Sequence, residues 1–315
     1  MKKSFCFILN PLEVTGNLPV ELIPAHFLQK ADVEQVGLIR DQLHRNYARH
    51  WPLPAYDHEW LEEIKDDKGG SKKESRELSP DKFRYWIVTF DGPNTHIQEL
   101  QLAANLLKQD LDFGFIFIYQ KDGKSGGIIS GHSNISSYFE SRLSLFIGNG
   151  AVTMEAAEFS VISSYVQSIK ACEKGQPHIY KAVQDFFQLK SLPRNSSMVI
   201  LGYFAVIESL VTHDPKDDFD SLNHQISTKM SLLSKRFERQ LDCDGHFGQL
   251  DVEQIWKKLY GYRSALAHGT PADFKTKFQI LKDPSCALTF LKEAAKLTLL
   301  FAMKEPEFLA DLKKC

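Results

Sequence analysis

Tyr260-Gly-Tyr-Arg-Ser-Ala-Leu-Ala-His-Gly269 ends a run whose apolar positions, among them Ile255, Leu259 and Leu266, recur at helical spacing. Gly269 stands where a helix turns into the left-handed region, and Pro271 follows two residues later. The pattern predicts a helix over 250–268 that stops at the His-Gly pair. His268 then sits in the last turn, with Arg263 one to two turns before it.

The neighbouring sequence has the same texture. Amphipathic helices are predicted over 152–173, 177–190, 196–212, 219–238 and 285–303, with a short one over 306–313. Pro193, Asp214-Pro215, the stretch Asp242–Gly248 (read as a loop) and Pro271 punctuate them. Consecutive helices with short connections describe an up-and-down bundle. Before residue 150 the signals are mixed. Ser4–Leu9, Phe83–Phe90 and Phe113–Tyr119 read as strands, and Pro19–Leu28 holds room for another. Asp32 is placed as an N-cap for a helix carrying Val33, Val36, Ile39 and Leu43, and Ile97–Leu111 is amphipathic. Asp91–Asn94 and the glycine-rich segment after Tyr119 read as turns, and the charged stretch Lys65–Lys82 as a loop. The expectation is an α+β or α/β domain over 1–150 and an all-α domain over 151–315, with no solenoid repeat.

Composition bounds the function. The chain has 315 residues, 43% hydrophobic and 25% charged, which excludes a mostly disordered protein. The formal charge of −2 argues against a general electrostatic nucleic-acid binder, while leaving room for a small basic site. Five scattered cysteines form no CxxC pair, so neither a disulfide scaffold nor a zinc site is expected. The apolar run Ser4–Leu9 is too short for a signal peptide, and no run approaches the roughly 18 apolar residues of a membrane span. A cytoplasmic protein without membrane partners is expected.

Three Arg–His pairs share the spacing R-x(4–6)-H: Arg45 with His50, Arg239 with His246, and Arg263 with His268. Only the third lies at the end of a late helix preceded by other helices. Together with Gly202–Leu210 and Ser221–Met230, it resembles the HEPN superfamily, in particular the branch called Apea-like HEPN. The resemblance covers roughly residues 151–315. It implies a HEPN-like helical bundle that pairs into a homodimer and cleaves RNA, with Arg263 and His268 as the catalytic residues. It implies neither a metal nor a cofactor. It also implies a setting in antiviral defence or toxin-like growth arrest, in which the first domain senses a signal or recruits a regulatory partner. The alternative within the same resemblance is an inactive HEPN module used for dimerisation or RNA binding in a larger complex. A related toxin type is modified on a tyrosine two residues after the histidine, and here that residue is Thr270.

The residue types suit endoribonuclease chemistry. The 2′-OH of RNA attacks the adjacent phosphorus once a base removes its proton, and an acid protonates the leaving oxygen. Histidine can do either near neutral pH, and arginine offers fixed donors to the developing charge. Five residues along a helix turn the direction by about 140°, so Arg263 and His268 do not share a face. Ser264 and His268 do, at i and i+4, which makes Ser264 a candidate to orient His268 or touch phosphate. A composite site across two subunits is therefore favoured. In the family's commoner form Asn, Asp or His occupies the position of Ser264.

Glu208 lies in the otherwise apolar stretch Met198–Val211. It either faces solvent or needs a partner, and the resemblance implies Arg263. Tyr260 and Tyr262 flank the motif, as base-stacking groups or as core residues. Cys243 and His246 form an unaccompanied C-x-x-H. Asp214, Asp217, Asp218 and Asp220 read as a solvated capping loop, and His213 and His224 as helix-end residues.

Overall fold

The computed structural model describes residues 3–47, 54–60, 64–65, 71–72, 75–91, 96–119, 125–130, 151–193, 196–215 and 220–315. The chain divides into two compact units, Met1–Val166 and Gln167–Cys315. Among the sequence expectations, His50, Gly92–Asn94, the residues directly after Tyr119, and Asp217 and Asp218 lie outside the described residues.

In chain order, the first unit has strands β1 (Ser4–Ile8), β2 (Leu12–Thr15), β3 (Val20–Ile23) and β4 (His26–Lys30), then helices α1 (Val33–Tyr47) and α2 (Pro54–Asp57). Short strands β5 (His58–Trp60), β6 (Ile64–Lys65), β7 (Ser71–Lys72) and β8 (Ser75–Glu77) come next. They are followed by β9 (Trp86–Phe90), α3 (Ile97–Ala104), β10 (Phe113–Tyr119), β11 (Ser125–Ser130) and β12 (Val152–Glu155). The main sheet has the order β11-β10-β1-β9-β4-β3, and every neighbouring pair in it is antiparallel. That decides α+β over α/β, since parallel pairs with helical crossovers define the latter.

Every residue of β1 and β9 is buried, so the centre of the sheet is covered on both faces. The alternation of a strand sends Phe5, Phe7 and Leu9 to one face with Ile87, Phe115 and Phe117. There α1 lays Val36, Ile39 and Leu43 against them, and Tyr56 joins from α2. Phe5 and Phe117 stack at 4.5 Å. Trp86 is fully buried, and its indole N–H donates to the Leu12 carbonyl at 2.8 Å, which removes the cost of burying a donor.

Three sequence expectations are corrected here. Lys65–Lys82 is not merely a loop: β8 pairs with β5 and β7 with β6, because even short polar segments close a hairpin when backbone partners face them. Ser125–Ser130, read as part of a glycine-rich turn, is an edge strand on β10, where glycine is tolerated. The start of the expected helix 152–173 is β12, followed by a 3-10 turn over Ala156–Phe159. β12 runs parallel to β2, with Val152 opposite Leu12 and Met154 opposite Val14, and belongs to the first unit. Its alternation of apolar and polar residues has period two, too short to stand out beside the helical pattern that follows. The units therefore divide at Val166/Gln167 rather than at residue 150.

The remaining helices are α4 (Ile162–Gly175), α5 (Pro177–Gln188), α6 (Ser197–Val211), α7 (Leu222–Ser234), α8 (Cys243–Phe247), α9 (Val252–Ala267), α10 (Pro284–Lys304) and α11 (Pro306–Lys314). Helix α6 is apolar around most of its circumference and packs against α5, α9, α10 and α11. Gly202 permits a close approach on one side, since a Cβ there would fall 2.2 Å from Leu189 Cδ2. Side-chain caps start the helices: Ser196 accepts from the Met198 N–H, Ser221 from His224, Asp251 from Gln254 and Asp283 from Cys286. Each such cap contributes about 1 kcal/mol. The stretch expected as a loop around His246 is the short helix α8, because the Asp242 carboxylate caps it through the Gly245 N–H.

Candidate functional site: a buried-edge arginine beside a helix-terminal histidine

Helix α9 stops by a complete set of C-terminal bonds. Gly269, with φ of 67°, donates its N–H to the Leu266 carbonyl at 3.2 Å, and Thr270 donates to Ala265 at 2.8 Å. This 5→2 and 6→1 pairing is the Schellman motif. It leaves His268 as the C-cap, its N–H donating to the Ser264 carbonyl at 3.1 Å. The imidazole is exposed and makes no hydrogen bond within the chain among the described residues.

Arg263 is held differently. Its Nη2 donates to Glu208 Oε2 of α6 at 3.2 Å, and the side chains are 28% and 16% exposed. Its guanidinium carbon lies 5.6 Å from the Tyr260 ring centroid, one helical turn back. Tyr260 in turn meets Phe204 of α6 edge-on at 6.2 Å. Burial pushes the Glu208 carboxyl above its usual range, and the charge and hydrogen bond of Arg263 oppose that rise. Burial also raises the Tyr260 phenol, with Arg263 pulling it down and Glu208 pushing it up.

The pair is incompletely satisfied. Glu208 Oε1 and Arg263 Nε are buried without hydrogen-bond partners. A buried orphan of this kind costs about 1–3 kcal/mol, so the arrangement is not the one that best stabilises the bundle. Arg263 Nη1 is not among the buried orphan atoms and, among the described residues, carries donors that no group accepts. The arrangement thus presents a donor edge of fixed direction, with an exposed imidazole at the end of the same helix. The guanidinium edge can receive an oxyanion and the imidazole can exchange a proton, each at its own position on the helix.

Of the residues singled out from the sequence, Glu208, Tyr260 and Arg263 come together. His268 follows on the same helix end. Ser264 contributes its backbone carbonyl to His268, and among the described residues its hydroxyl makes no hydrogen bond to the ring; the i, i+4 relation aligns two Cβ atoms without fixing a side-chain contact. Tyr262 is 3% exposed and packs on Phe274 at 5.0 Å and Phe278 at 5.6 Å, so it is a core residue and offers no face to a base. His213 behaves as a helix-end residue, with Nδ1 2.6 Å from the Lys313 carbonyl and Nε2 2.9 Å from Asp220 Oδ2. His246 lies 3.6 Å from the Cys286 thiol, and no group of three or more metal-ligating residues occurs among the described residues. No helix among them is long and apolar enough to cross a membrane.

The first unit holds a polar cluster that sequence reading missed. Arg40, Asp57, His58 and Tyr85 converge there from α1, α2, β5 and the approach to β9. Only the adjacency of Asp57 and His58 was visible in the sequence; the fold supplies the rest. No protein-family model, curated protein or solved structure matches the chain.

Proposed function

We propose that the helical unit is a HEPN-type endoribonuclease of the Apea-like kind, with Arg263 and His268 at its catalytic centre. The observation that carries the reading is the Glu208–Arg263 pair, 3.2 Å apart, on a helix that ends at His268. In the proposed reaction, the 2′-OH of RNA loses its proton to a histidine and attacks the neighbouring phosphorus. The pentacoordinate phosphorane places its charge against the free donors of Arg263. A protonated histidine then delivers a proton to the departing 5′-oxygen. The products are a 2′,3′-cyclic phosphate and a 5′-hydroxyl. Glu208 acts as a positioning residue, fixing the direction of the guanidinium.

A single exposed imidazole serves as either base or acid in one turnover, and the reaction needs both. This supports a homodimer in which two copies of the 263–268 segment face each other, each supplying one histidine. The unit Met1–Val166 takes the role of a regulatory or recruiting module, in a setting of antiviral defence or toxin-like growth arrest.

The second reading is a HEPN module that docks RNA or dimerises without cleaving. It is favoured by one observation: among the described residues the His268 ring has no orienting partner, Ser264 included.

The test is to express the wild type, His268→Ala and Arg263→Ala and to sequence cellular RNA ends carrying 2′,3′-cyclic phosphate. New ends in the wild type and in neither variant support the nuclease. RNA retained on the purified wild type, lost in both variants and never cleaved, replaces it with the docking module.

A further inference from the structure

The cluster in the first unit is built around one carboxylate. Asp57 Oδ2 accepts from Arg40 Nη2 at 2.8 Å and from the Tyr85 hydroxyl at 2.8 Å, while Oδ1 lies 2.7 Å from His58 Nδ1. An ionised carboxylate only accepts, so the proton between Asp57 and His58 belongs to Nδ1. That fixes the tautomer and leaves the His58 lone pair on Nε2. Among the described residues Nε2 has no partner, it is not a buried orphan, and the ring is 29% exposed.

Arg40 is fixed as firmly. Its Nε donates to the Tyr85 hydroxyl at 3.3 Å, and its guanidinium carbon lies 4.9 Å from the Phe83 ring centroid. The side chain is 34% exposed, and among the described residues its Nη1 is unpaired and is not a buried orphan. Anchoring α1 to the sheet requires Arg40, Asp57 and Tyr85. It does not require a histidine of set tautomer, tethered to the same carboxylate as the guanidinium and with its second nitrogen open to solvent.

One more contact indicates what this edge attracts. The largely exposed Glu77, on β8 opposite His58 of β5, places Oε1 3.9 Å from Arg40 Nη2. That distance is too long for a hydrogen bond. A loose surface carboxylate thus occupies the region that a better-fitting anion would take.

We propose that Arg40 and His58, supported by Asp57 and Tyr85, form a binding site for a phosphate monoester group in the N-terminal unit. The free donors of Arg40 receive two phosphate oxygens. His58 Nε2 shares the single proton of the phosphate monoanion. Glu77 swings away on binding. The site lies within the first unit and does not rest on the ribonuclease reading.

Calorimetric titration of the full chain with inorganic phosphate, adenosine 5′-monophosphate and adenosine tests it, at low salt and with circular dichroism as the check of folding. The variants are Glu77→Gln, which removes the competing charge at an exposed position, and His58→Asn, whose amide can still donate to Asp57 but lacks Nε2. The expected result is phosphate-dependent binding, about threefold tighter in Glu77→Gln and about tenfold weaker in His58→Asn, the loss of one charge-assisted hydrogen bond. Tighter binding of the nucleotide than of inorganic phosphate assigns the site to an ester; equal binding assigns it to the free ion. The proposal is overturned if neither wild type nor Glu77→Gln binds phosphate at ten millimolar, a concentration of about 10 mM chosen to detect weak anion sites. It is equally overturned if adenosine binds as well as its phosphate, or if affinity is indifferent to both substitutions.

Discussion

Glu208 of α6 and Arg263 of α9 meet across 3.2 Å as an ion pair that is mostly buried, and each retains one buried polar atom with no partner. The contact joins two helices of the bundle, yet it is satisfied at only one oxygen and one nitrogen. A pair built for stability alone would close the remaining bonds or be replaced by apolar side chains. Its fixed direction, its neighbour Tyr260 and the helix end that follows are the features on which the proposed reading rests.

Removing one partner strands the other. Arg263→Ala and Glu208→Ala are each expected to destabilise the helical unit by about 1–3 kcal/mol, below the range for fully buried pairs because both side chains retain some solvent contact. The double substitution is expected to cost less than the sum of the two. Urea unfolding of the four proteins measures the coupling, and strict additivity would show that the pair contributes no interaction energy.

The same pair sets a pH dependence. Burial raises the Glu208 carboxyl above its ordinary value of 4.5. The folded state therefore holds this proton more tightly than the unfolded state. The associated stability is fully present below the unfolded value and is lost as pH rises through the raised one. Glu208→Gln is expected to flatten that loss in the weakly acidic range above 4.5. Thermal melts of both proteins across that range check it, and parallel pH profiles would contradict it.

Gly269, at φ of 67°, closes the Schellman motif that positions His268. A Cβ meets no neighbouring atom there, so the cost of Gly269→Ala is backbone strain alone, about 1 kcal/mol. The melting temperature is expected to fall by a few degrees, while RNA cleavage, if the proposed reaction holds, falls further because the histidine is displaced. Comparing the two readouts separates strain from misplacement.

Tyr260 and Tyr262 are expected to respond oppositely. Tyr262→Ala empties a site between Phe274 and Phe278 and should cost about 3–5 kcal/mol. Tyr262→Phe keeps the ring and should be near neutral. Tyr260→Ala removes the ring beside Arg263 and, if the proposed reaction holds, is expected to weaken RNA association more than stability. Filter binding beside chemical denaturation distinguishes them.

How much was legible depends on the range of each signal. The long helices after α4 and the stop at Gly269 follow from local patterns, apolar periodicity and a helix-end glycine, whereas the local pattern left Glu208 either solvent-facing or partnered and only the resemblance pointed to Arg263. The strand β12, the edge strand β11 and the short pairings of β5 with β8 were illegible, because each depends on a backbone partner distant in sequence. Tyr262 and Ser264 were ambiguous for a related reason. Spacing places a side chain on a helix face but does not say what that face meets.

By itself, the sequence determined the order of sheet-rich and helical regions, the end of α9 and the residue types available for chemistry. These rest on interactions within a few residues of one another, which composition and periodicity record directly. Only the tertiary structure decided the antiparallel sheet order, the division at Val166 rather than 150, and the burial of Tyr262. It alone gathered Arg40, Asp57, His58 and Tyr85 around one carboxylate. Such assemblies arise when segments far apart in the chain bury polar groups together and must satisfy one another there, a condition that local sequence does not encode.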